Sequence, residues 1–133
     1  MQVYDRFTTK EFQNDYRTIV LRDDWTDYDD YVQNTGGIEN LETSTPITVT
    51  LIYFEGLGVL VEEGLIDVNL VAKLLSASVI QVWEKFGPYF VEMRERSGQP
   101  RIFDKTEYLY YEMKRLRGDD WSFEGLIRTQ APR

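Results

Sequence analysis

Apolar residues recur at three- and four-residue steps along most of this chain, and the densest run, residues 45–97, sets the plan for the rest. Thr45-Pro46 offers a capping residue followed by a proline suited to a first helical turn. ITVTLIYFEGLGVLVEE follows, which predicts a helix over 46–63. The β-branched and aromatic content of ITVTLIYF favours a strand on propensity alone. The cap, the length and the continuation through GLGVLVEE favour helix. That helix is apolar nearly all round, so it is expected to be central and surrounded. Gly56 and Gly58 are unfavourable in a helix interior and are expected to permit a close helix crossing.

Gly64 reads as the residue that ends this helix, and Asp67 as the cap of the next, VNLVAKLLSASVIQVWEKF. With so short a connection, 46–63 and 68–86 are expected to form an antiparallel hairpin. Gly87-Pro88 is expected to break or kink the run, leaving a shorter helix that closes at Ser97-Gly98. Asp104 is expected to cap a last helix, KTEYLYYEMKRLR, with Tyr108, Leu109, Tyr111, Met113 and Leu116 inward or half inward. Its terminal Lys114, Arg115 and Arg117 complement the helix dipole. Upstream, Thr8 or Thr9 precedes a helical pattern ending near Leu21. Thr26 is placed to cap a short segment carrying Tyr28, Tyr31 and Val32. Residues 34–44 read as a linker.

The fold expected is therefore all-α: four main helices around the central hairpin, plus a short N-terminal helix. The chain divides into an acidic part (1–44), a helical core (45–117) and a tail (118–133) within one domain. The expected core is Ile47, Leu51, Phe54, Leu57, Val61, Leu70, Leu74, Val79, Trp83, Phe90, Leu109 and Met113. The most apolar stretch, 47–61, would reach only about 22 Å as a helix, short of a bilayer's hydrocarbon layer. No membrane span is expected, and with no signal-peptide pattern at the N-terminus a cytoplasmic location is expected.

Composition removes whole classes of chemistry. The 133 residues include neither cysteine nor histidine, so disulfides, thiolate nucleophiles, imidazole bases and structural zinc sites are excluded. The net charge of −8 argues against direct binding to nucleic acid, which needs clustered Lys and Arg. The aspartates from Asp23 to Asp30 lack the spacing and the closing glutamate of a calcium loop. Ser76 and Ser78 have Lys73 as their nearest conceivable base, a pairing common in proteins that are not enzymes. Neither a catalytic constellation nor a cofactor is expected.

Glu55 is the most informative polar residue, because an unpaired carboxylate in so apolar a helix is costly. A buried ion pair with Arg94, or with Arg96, is expected. Trp25, Tyr28, Asp29 and Asp30 mix acid and aromatic in the manner of a partner-binding segment. Trp121 and Phe123 put apolar side chains on an otherwise polar tail. These residues are candidates for contact with a protein partner or a second copy.

One set of motifs carries a family resemblance: Phe54-Glu55, Leu57-Gly58, Gly64-Leu65-Ile66-Asp67, Trp83-Glu84-Lys85 with Pro88, Arg94, Gly98-Gln99-Pro100, Phe103 and Tyr108-Leu109. Over about 47–116 the chain resembles a family of small bacterial and archaeal helical domains catalogued as a domain of unknown function. The resemblance implies the helical fold and brings no activity, substrate or catalytic residue. The resemblance also implies that many members of that family carry a membrane helix ahead of the domain. None is expected here, so no membrane role is carried over. The function expected is a non-enzymatic helical interaction or regulatory module. The alternative is an acidic phage-type inhibitor that mimics nucleic-acid charge and blocks a nucleic-acid-binding target.

Overall fold

A computed structural model describes residues 8–21, 27–35 and 41–118. Among the described residues five helices run in order: α1 (Lys10–Leu21), α2 (Tyr28–Thr35), α3 (Leu41–Glu62), α4 (Val68–Ser97) and α5 (Asp104–Arg117). No strand occurs among the described residues, and the helices pack into an all-α bundle.

Local signals place several ends. The Phe12 N–H donates to Thr9 Oγ1 (3.2 Å), so Thr9 caps α1. Asp27 caps α2, its Oδ1 accepting from the Asp30 N–H at 2.8 Å, while Thr26, the expected cap, lies outside the described residues. Gly64 takes positive φ (74°); its N–H bonds Val61 O, and the Leu65 N–H bonds Leu60 O. This paired pattern satisfies the last carbonyls of α3. Asp67 then caps α4 through the Asn69 N–H at 2.9 Å, and Gly98 (φ 67°) closes it.

Two boundaries differ from the expectation, both at prolines. α3 begins at Leu41, inside the expected linker, and Pro46 lies within it. α4 runs unbroken for 30 residues with Pro88 inside, instead of stopping at Gly87. A proline in a helix removes one hydrogen bond and crowds the preceding turn. In α4 the buried stripe Val79, Val82, Trp83, Phe86 continues on the far side as Phe90. Packing on both sides of the proline outweighs the missing bond.

The core unites Ile19, Tyr31, Ile47, Leu51, Phe54, Leu57, Val61, Val71, Val79, Trp83, Phe86, Phe90, Leu109 and Met113 with their neighbours. Close backbone approaches join α5 to α4 and to α3, and α1 to α3, while α2 touches α3 and α4. The expected hairpin is corrected: consecutive α3 and α4 both send side chains into the core but make no comparable close backbone approach to each other, because α5 packs along both.

Two expectations about burial are corrected. α3 is not surrounded: Ile47, Leu51, Phe54, Gly58 and Val61 face inward, but Ile52 stays 59% and Val59 41% exposed. Leu70 and Leu74 belong to the surface, each 39% exposed, because the inward face of α4 passes through Val71 and Leu75. No helix among the described residues is long and apolar enough to cross a membrane.

Candidate functional site

Glu55 sits where α3 crosses the first turn of α5. A side chain at Gly58 would place its Cβ 2.3 Å from Lys105 O, so only glycine permits this approach. At Gly56, by contrast, a Cβ would meet nothing within 4 Å, and the close crossing belongs to Gly58 alone. α5 lacks a side-chain cap of its own. The residue before it, Phe103, is in the left-handed region (φ 51°) and Asp104 is already helical. The Glu55 carboxylate takes the cap's place: it accepts from the Lys105 N–H (3.2 Å), the Thr106 N–H (2.8 Å) and the Thr106 hydroxyl (2.9 Å). A negative group at a helix N-terminus is doubly favourable, because it satisfies unpaired N–H groups and meets the positive end of the dipole.

The expected Glu55–Arg94 pair is therefore replaced. Arg94 instead binds Glu107 Oε1 (2.8 Å) and Ile102 O (2.8 Å), with its guanidinium 5.7 Å from the Trp83 ring. Once three donors from α5 occupy Glu55, it no longer requires a cation. Arg96 is likewise committed elsewhere, to Asp29 (2.9 Å) and Glu92 (2.8 Å), with its guanidinium 4.5 Å above the Tyr28 ring. Two of the acid-and-aromatic candidates, Tyr28 and Asp29, thus serve to fasten α2 to the end of α4. The Asp30 N–H belongs to the α2 cap. Trp25, Trp121 and Phe123 lie outside the described residues.

Ser76 is buried and accepts from Arg117 Nε at 2.7 Å, while Lys73 is exposed. Among the described residues no group of three or more acids is placed to hold a metal ion.

One concave feature among the described residues is an open groove of about 630 Å³ between the outer face of α4 and α5. Its floor is the Trp83 indole, which lies across Gly87. A Cβ there would stand 2.7 Å from the ring, so the glycine seats the tryptophan. Tyr110, Tyr111, Pro88 and Val91 form apolar walls, and Glu84 and Glu95 stand on the rim. The Tyr110 hydroxyl donates to Glu84 Oε2 (3.1 Å). Burial, and next the Glu84 carboxylate, push the Tyr110 phenol up to about 12, so it stays a neutral donor near neutral pH. Aromatic walls under a carboxylate rim suit an apolar side chain or an aliphatic stem that ends in a cation.

Tyr111, expected inward, is 60% exposed here. Helical geometry could have predicted this: two residues beyond buried Leu109, it lies about 200° round the axis. Beyond the groove, α4's outer face continues toward its N-terminus as Ala77, Leu74, Lys73 and Leu70, near the exposed Leu65 of the preceding turn.

A family model described as "Domain of unknown function (DUF4760)" matches residues 2–113. No curated protein and no solved structure matches the chain.

Proposed function

The chain belongs to the DUF4760 family, a domain of unknown function, and we propose that it is a non-enzymatic helical interaction module that binds a protein partner or itself through the outer face of α4 and the adjoining groove. One observation carries the reading. The inward face of α4 is fully packed, yet its outward face keeps Leu70, Leu74 and Val91 exposed in line with an aromatic groove. Apolar groups aligned on one face mark a surface that a partner covers. Among the N-terminal acids, Asp29 supports the nucleic-acid mimic less well, because its charge is paired with Arg96 of α4.

The test is capture of partners from native lysate by the tagged chain at low and high salt, with a Leu74→Gln/Tyr111→Ala variant beside it. Both positions are exposed, so the variant's thermal unfolding should match the parent's. The expected outcome is a partner, or the chain itself, retained at high salt and lost with the variant. A nucleic-acid-handling protein retained only at low salt, and equally by the variant, would transfer the reading to the acidic inhibitor.

A further inference from the structure

The outer face of α4 is electrically polar along its length. Its N-terminal half carries Leu70, Lys73, Leu74 and Ala77; its C-terminal half carries Glu84, Pro88, Val91 and Glu95. Lys73 is exposed and has no ion-pair partner among the described residues. The Glu84 carboxylate, 41% exposed, accepts from Tyr110 on Oε2 and has Lys114 only at 3.9 Å, which leaves room for a further cation.

We infer that the face is covered by a second copy of this chain, packed antiparallel along α4 with Lys73 of each copy beside Glu84 of the other. This rests on the interaction-module reading and names its partner. Antiparallel packing sets the apolar N-terminal half of one helix over Pro88 and Val91 of its mate, and a two-fold axis makes every contact twice. Eleven residues separate Lys73 from Glu84, about 16 Å along the axis, so the two ion pairs flank the centre of the contact. Between them lie the small Ala77 and also Gln81, which accepts from the Tyr16 hydroxyl of α1, the helix that borders the face. A parallel mate would set carboxylate against carboxylate. An unrelated basic partner would match the rim of the groove and leave Lys73 opposed by its own charge.

Sedimentation equilibrium over a concentration series tests the inference. The wild-type chain is expected at twice 15.7 kDa. Lys73→Glu and Glu84→Lys should each weaken the dimer by about tenfold or more, since each sets like charges together. The exchange variant K73E/E84K should restore it. Leu70→Gln, which touches no charge, should also weaken it, and circular dichroism should confirm that every variant is folded. A chain that stays monomeric to its highest soluble concentration overturns the inference, as does an exchange variant no better than the single ones. If that monomer still loses a foreign partner through Leu74→Gln/Tyr111→Ala, the interaction-module reading stands without self-association. If it captures nothing, both fall.

Discussion

Glu55 does for α5 what a serine or aspartate at its own N-terminus would ordinarily do, from a helix about fifty residues earlier in the chain. Replacing it with Ala leaves two backbone N–H groups and a hydroxyl unpaired, so urea unfolding should show a loss of about 2 kcal/mol. Glu55→Gln keeps an acceptor and gives up the charge at the dipole, and should lose about half as much in the same assay. The sequence makes the burial problem of Glu55 legible but not its solution. A carboxylate in an apolar helix demands donors, and Arg94 is the natural guess because cations are visible in a sequence. Backbone N–H groups are not visible, since every residue but proline has one. They become a site only when Gly58 brings the end of α5 against α3.

Elements are legible in this chain wherever their signals are local. Thr9, Gly64, Asp67 and Gly98 each act within a few residues, and each stands where the sequence puts it. Pro46 and Pro88 mislead because their effect depends on what packs around them. α4 crosses its proline without a break because buried side chains hold both halves to the same neighbours. Leu70 and Leu74 mislead for a related reason: apolar spacing marks an apolar face, and does not say which of its residues the neighbouring helices reach. Gly56 and Gly58 give the sharpest contrast at this scale. Gly56→Ala has open space and should stabilise by about 0.5–1 kcal/mol through helix propensity. Gly58→Ala must push α5 away from α3 and should cost about 2–3 kcal/mol despite the same propensity gain. Urea midpoints of the two variants, measured side by side, should move in opposite directions.

The bundle as a whole buries several phenols, and this sets its response to alkali. Burial raises Tyr53 to about 12; burial and then Glu84 do the same for Tyr110; Tyr16 is also raised, by burial. The folded chain therefore holds these protons more tightly than the unfolded chain, whose phenols titrate near 10. Stability from this source is fully present below pH 10 and is lost as pH rises from about 10 through 12. Urea midpoints against pH should fall across that window, and Tyr53→Phe should flatten part of the fall. The capping of α5 by a side chain of α3 has a further consequence, which concerns how the chain folds. A helix with its own cap can nucleate by itself. α5 cannot complete its first turn until α3 is in place beside it, and α3 has its closest neighbour only once that turn exists. The two segments thus share a single step in assembly, which couples the middle of the chain to its C-terminal helix and makes the formation of one the condition for the other.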